Sequence, residues 1–130
     1  MAKRLLIIDD NEGYASIVAR YFVAVGGYEV ETACCGAEGL EKASRMKFDV
    51  VLADMMLPDM DGCDVARELE RKGVESPVAI LSGYEAQKVI KWGMAKSGLP
   101  GNLRRVLSKS EKLGEILVKV NGLSGDALAV

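Results

Sequence analysis

Hydrophobic positions recur along the chain in two alternating rhythms. Leu5–Ile8, Val50–Ala53 and Val78–Leu81 are short, continuous apolar runs, the pattern of strands buried on both faces. Between such runs the spacing becomes helical. Tyr14, Ile17, Val18, Tyr21, Phe22 and Val25 form one apolar stripe, and Gly26-Gly27 stops that helix. Tyr28–Ala33 alternates like a strand, and Gly36–Arg45 predicts a helix with Ala37, Leu40 and Ala43 inward. The Pro58-Asp59-Met60-Asp61-Gly62 segment is turn chemistry, followed by a helix over Cys63–Lys72 with Val65, Ala66 and Leu69 on one side. The segment from Glu85 to Asn102 is the least periodic. Val89, Ile90 and Met94 favour a helix there, ahead of a Gly98–Gly101 loop. Val106-Leu107 reads as a weak fifth strand. Ser110 is placed to cap a last helix carrying Leu113, Ile116, Leu117 and Val120, which Asn121-Gly122 ends. The tail Leu123–Val130 reads as frayed or loosely packed. Five strand–helix alternations predict an α/β domain: a doubly wound, five-stranded parallel sheet with helices on both faces.

Composition narrows the function classes. The 130 residues suffice for one domain with its own core, without an attached output module. Hydrophobic residues at 49% and charged residues at 28% argue against disorder. Lys+Arg 17 against Asp+Glu 19 gives a net charge of −2, which is no footprint for direct nucleic-acid binding. Histidine is absent, which removes histidine metal sites, histidine acid–base catalysis and a phosphohistidine. Cys34, Cys35 and Cys63 read as reduced thiols of a cytosolic protein, and the Cys34-Cys35 pair as small buried thiols rather than a redox sensor. Lys3-Arg4 before an apolar run mimics a signal peptide, but Asp9-Asp10 ends the run too early. No segment is long and apolar enough for a membrane span.

In open parallel sheets ligands bind beyond the carboxyl ends of the strands. There the chain places Asp9-Asp10, Asp54, Ser82 and Lys109, after strands one, three, four and five. Asp9-Asp10 alone would be an ordinary strand-end turn. Carboxylates converging without histidine repel one another, and a hard divalent cation such as Mg2+ resolves that repulsion. Lys109 offers a compact positive charge and Ser82 a hydroxyl. Such a set suits transfer of a phosphoryl group onto Asp54 as nucleophile. Met55, Met56 and Met60 read as loop and core fillers rather than soft-metal ligands.

These residues resemble the receiver domains of two-component response regulators. The matching segments are Leu5–Asp10, Asp54–Gly62 with its Asp-x-x-Leu-Pro-x-x-Asp-Gly order, Ala79–Gly83, and Lys109. The likeness covers about residues 4–120, leaving 121–130 as a short tail of a single domain 1–130. It implies a flavodoxin-like, chemotaxis-receiver-like fold with strand order 2-1-3-4-5. It implies that Asp54 accepts phosphate from a sensor histidine kinase, a histidine phosphotransfer protein or a small phosphodonor. Asp10, Asp54 and the Met56 backbone carbonyl would hold Mg2+ (or Mn2+), with Asp9 helping through water. Ser82 and Lys109 would contact the phosphoryl group. The implied protein is a cytoplasmic signalling domain rather than an enzyme. It would be a monomer or weak homodimer acting through protein contacts, without membrane or direct nucleic-acid binding.

Three positions depart from the family. Val106 stands where an aromatic is usual, Ser110 where proline usually follows the lysine, and the interval from Ser82 to Lys109 is several residues longer. All lie in the half that relays the signal. They motivate an alternative, a pseudo-receiver that binds partners without phosphorylation. Tyr84 is a substitute for the missing aromatic, and Trp92 either anchors a partner or fills the core. Met56 and Tyr84 are bulky neighbours of the site, which predicts slow hydrolysis of the phosphoform. A phosphatase of the aspartate-nucleophile class fits poorly, because Met56 stands where its acid belongs.

Overall fold

The computed structural model describes residues 2–123. Its elements alternate strictly: β1 (Arg4–Ile8), α1 (Glu12–Ala24), β2 (Glu29–Ala33), α2 (Gly36–Arg45), β3 (Val50–Ala53), α3 (Gly62–Arg71), β4 (Val78–Ser82), α4 (Ala86–Ser97), β5 (Leu103–Ser108) and α5 (Leu113–Asn121). The sheet has five parallel strands in the order β2-β1-β3-β4-β5. The tail beyond Leu123 lies outside the described residues.

Alternation along β1 divides the core. Leu5 and Ile7 face a layer with Val18 and Phe22 of α1 and Ile116 and Val120 of α5. Leu6 and Ile8 face the other side, with Leu40 and Ala43 of α2 and Val65, Ala66 and Leu69 of α3. A third cluster joins Met55, Cys63, Ile80, Val89, Leu103 and Val106 beneath α4. β3 and β4 are buried throughout, whereas edge strand β2 exposes Glu29 and Glu31. Charges on an open edge discourage pairing with another chain.

Several local expectations change. On α1 the buried positions are Ala15, Val18 and Phe22, while Ile17 and Val25 flank the stripe and are exposed. On α2 the inward residue is Gly39 rather than Ala37, which is exposed. A Cβ at Gly39 would lie 2.2 Å from Ile8 Cδ1, so only glycine allows this helix so close to β1. β5 is longer than its two-residue apolar signal, because Arg104 and Arg105 continue the strand along the sheet's edge, beside a register shift at Val78/Ala79. Ser110 does not cap α5. The helix starts after Lys112 without a side-chain cap, and the Ser110 hydroxyl lies 2.7 Å from that of Ser108.

The Cys34-Cys35 pair also differs from expectation. Only Cys63 is buried; Cys34 is exposed and Cys35 half-buried at the start of α2. Trp92 is no core residue: it is 41% exposed and packs edge-on against Tyr84, ring centroids 5.1 Å apart. No helix among the described residues is long and apolar enough to cross a membrane.

Candidate functional site

Parallel pairing brings the strand ends to one rim, and backbone hydrogen bonds continue past the strands to hold them there. The Asp9 N–H donates to Ala33 O (2.9 Å), the Asp54 N–H to Ile8 O (2.8 Å) and the Lys109 N–H to Ser82 O (2.8 Å). The residues singled out in sequence thus sit side by side although far apart in the chain. Asp9 is buried, Asp10 exposed, Asp54 half-buried and Ser82 fully buried.

Lys109 organises the charges. Its Nζ lies 2.8 Å from Asp9 Oδ2 and 3.3 Å from Asp54 Oδ2. Burial lowers its pKa, but the hydrogen bonds and charges of both carboxylates outweigh burial and raise it above the ordinary lysine value. Asp54 moves the other way for a carboxylate. Burial and the neighbouring Asp9 charge push its pKa up, against the opposing pull of Lys109 and the Met56 N–H. A carboxylate so placed gains from any added positive charge, which is the electrostatic condition for taking up a cation.

The donor set supports the same reading. One carboxylate oxygen each from Asp9, Asp10 and Asp54 lie within 4.8 Å of one another. All are hard oxygen donors, and exposed Asp10 leaves the cluster open to solvent. Asp9 Oδ1 also accepts the Asn11 N–H at 2.9 Å, which orients it while Asn11 caps α1. Met56 forms an isolated bridge with Asp61 and points its side chain outward, 52% exposed. Gly62 is required behind it: a Cβ there would come within 2.8 Å of the Asp54 carbonyl.

Ser82 is beside the cluster without touching it. Its Oγ accepts the Tyr84 N–H at 3.0 Å, which turns the β4–α4 loop and leaves the hydroxyl hydrogen free to donate elsewhere. Val106 is buried among aliphatics in the third cluster, so the aromatic surface at this end is instead the Tyr84–Trp92 pair.

Sequence reasoning missed several supporting residues. The Tyr14 ring lies under Lys109, with Nζ 4.8 Å from its centroid, a cation–π contact. Burial raises the Tyr14 pKa, and its buried hydroxyl has no hydrogen-bond partner among the described residues. The periodicity showed Tyr14 only as part of an apolar stripe. Glu111 accepts the Ser108 N–H at 2.8 Å and pairs with Lys119, bracing both sides of Lys109. The spacing Ser-x-x-Glu over residues 108–111 is that of a capping box and was a legible signal. The ties of α4 to α3 were not legible: Arg67 bonds Gly93 O and Gly98 O at 2.7 Å each, and Lys96 bonds Asp61 and Asp64.

Comparison with known proteins agrees with this geometry. A family model described as the response regulator receiver domain matches residues 5–121. The chain is 30% identical over 122 residues to response regulator MprA of Mycobacterium leprae, covering 92% of this chain and 50% of that protein. It is 33% identical over 87 residues to the alkaline phosphatase synthesis transcriptional regulatory protein PhoP of Bacillus subtilis, covering 67% of this chain and 36% of that protein. The chain therefore spans about half or less of the curated relatives it matches. Among solved structures, a CheY-like receiver domain protein from Methanospirillum hungatei JF-1 superposes with a TM-score of 0.79 at 25% identity, over 93% of this chain and 92% of that one. The receiver domain of Francisella response regulator 1452 shares the fold, with a TM-score of 0.75 at 24% identity, over 92% of this chain and 93% of that one.

Proposed function

The chain belongs to the response regulator receiver domain family, and on that premise we propose that it is a phosphoacceptor switch centred on Asp54. The observation that carries the reading is the pairing of one lysine, Lys109, with two carboxylates, Asp9 and Asp54, at a rim where the Ser82 hydroxyl, accepting the Tyr84 N–H, keeps its own hydrogen to donate. An Asp54 carboxylate oxygen attacks the phosphorus of a phosphohistidine on a sensor kinase or phosphotransfer protein. The new O–P bond forms as the P–N bond breaks, and the imidazole leaves to be protonated by solvent. A small acyl phosphate serves in the same way.

Phosphorylation replaces a single carboxylate charge with a group carrying about −1.5 to −2. Lys109 then has a stronger partner than Asp9, and the Ser82 hydroxyl has an acceptor toward which to turn. Asp9, Asp10 and Asp54, with the Met56 carbonyl, would hold the divalent cation, Mg2+ or Mn2+, that the donor set fits. Such a cation neutralises charge on the transferring phosphoryl oxygens. The brace from Glu111 to Ser108 holds Lys109 in place without the family's proline. That weakens the motive for a phosphorylation-independent module. The proposed output is protein contact in the cytoplasm, through the surface around Tyr84 and Trp92.

Incubation with acetyl phosphate and Mg2+, followed by intact-mass measurement, tests the reading. One phosphoryl addition is expected for the wild type and none for Asp54→Asn. Failure of the wild type to take up phosphate, with partner binding unchanged in Asp54→Ala, would instead establish the phosphorylation-independent alternative. On this reading the bulky, partly exposed Met56 and Tyr84 side chains would obstruct water at the phosphorylated Asp54. Replacing both with small polar residues should speed decay of the phosphoform several-fold; an unchanged lifetime would count against that role.

A further inference from the structure

The start of α2 carries chemistry that the phosphoacceptor role does not use. Adjacent residues of a strand point to opposite faces, yet the chain bends at Cys34-Cys35 and brings both sulfurs to one side. There, Cys34 Sγ, Cys35 Sγ and a Glu38 carboxylate oxygen lie within 4.8 Å of one another. Cys34 Sγ is 3.2 Å from Glu38 Oε1. A tetrahedral zinc ion with Zn–S of about 2.3 Å and Zn–O of about 2.1 Å spaces its sulfur and oxygen ligands roughly 3.6 Å apart. The donors are therefore already near the separations of one coordination shell.

Each donor is held by the backbone. The Cys34 N–H donates to Glu38 Oε1 at 2.8 Å, turning the carboxylate toward the thiols. The Glu38 N–H donates to Cys35 Sγ at 3.5 Å, so Cys35 caps α2 and its sulfur accepts at the positive end of the helix. All three cysteines of the chain are free, so both thiols here are available. A solvent-open groove of about 390 Å3, lined by Cys34, Glu38, Thr32 and Glu12 among others, gives a path of entry.

We propose that Cys34, Cys35 and Glu38 form a binding site for a thiophilic divalent cation of the zinc class, with one tetrahedral position left for water. Two thiol protons leave to solvent as the two metal–sulfur bonds form. Two thiolates and a carboxylate around a divalent ion leave a net charge of −1. Lys42 offsets it from 3.5 Å beyond Glu38 Oε2. Softness separates this site from the oxygen-only cluster at Asp9, Asp10 and Asp54, which suits Mg2+. Cys63 does not compete, because it is buried away from the solvent that reaches Cys34. The proposal is independent of phosphorylation at Asp54.

The test is a Cd2+ titration of the whole chain, reduced with a phosphine, monitored by thiolate-to-cadmium charge-transfer absorption. The readout is blind to metal held by carboxylates alone. The expected result is a band saturating at one equivalent and removed by added Zn2+. It should be absent from Cys34→Ser and Cys35→Ser, and Glu38→Gln should weaken Cd2+ binding at least about tenfold. Cys34 is exposed, so its serine variant should keep the wild-type circular dichroism. A wild type without the band, or a Cys34→Ser/Cys35→Ser double variant that keeps it, would overturn the assignment. So would a Glu38→Gln affinity equal to the wild type's.

Discussion

Helices α3 and α4 lie side by side at the functional rim but are attached in opposite ways. α3 buries Cys63, Val65, Ala66 and Leu69 and begins with a reciprocal cap between Asp61 and Asp64. α4 buries only Val89 and Gly93. Gly93 allows a close approach, since a Cβ there would sit 2.9 Å from Cys63 Sγ. Beyond Gly93 and the Val89 contact with the third cluster, α4 is tied to α3 by polar groups: Arg67 grips two carbonyls, and Lys96 reaches both acidic residues at the start of α3. Apolar burial is strong and indifferent to direction, whereas such ties are individually worth about a kilocalorie or less and can be exchanged. α3 is therefore scaffold. α4, bearing Trp92 against Tyr84, is the element a charge change at Asp54 could most easily move.

The largest effect should come from the scaffold side. Leu69→Ala empties a fully buried position among Val65, Ala66 and Val78, and should cost about 2–5 kcal/mol in chemical denaturation. Arg67→Ala should cost less, about 1–2 kcal/mol. Its signature should be local, with faster amide exchange over residues 86–97 while β1 and β3 keep their protection. If Arg67→Ala matched Leu69→Ala in cost and opened the whole domain, the contrast between the two helices would be wrong.

The smallest effect should appear in acid. Burial pushes the Asp64 pKa up, but the Lys96 bond, the Asp61 N–H and the charges of Lys96 and Arg67 outweigh it and hold it below the usual value. The folded-state pKa therefore lies below the unfolded one of about 3.9. The stabilisation is complete above that value and is lost as pH falls through the folded-state pKa. Asp64→Asn should thus be less stable than wild type at neutral pH by under about 1 kcal/mol, with the difference shrinking toward pH 3. A difference that grows on acidification would mean that Asp64 does not carry the tie.

Much of the site could be read directly from sequence, because its chemistry sits at strand ends and strands announce themselves locally. The runs Leu5–Ile8 and Val50–Ala53 mark where Asp9, Asp10 and Asp54 must emerge, and Pro77 before Val78–Leu81 marks Ser82. α4 was hardest to read because a helix held by Arg67, Lys96 and a glycine leaves little apolar period to detect. The exposure of the Cys34-Cys35 pair was not legible, because composition treats a thiol as a small apolar group, whereas the bend at the start of α2 exposes Cys34.

Residue order by itself determined the alternating elements, the parallel α/β architecture and the identity of the polar groups at the strand ends. These follow from short-range periodicity and turn chemistry. Only the tertiary structure decided how those groups engage one another. Lys109 bridges to Asp54 across 55 positions of chain, over the ring of Tyr14, because strand order places β5 and β1 on either side of β3 and β4. Charge pairing depends on separation in space, and local pattern carries no record of which distant residues the sheet will bring to the same rim.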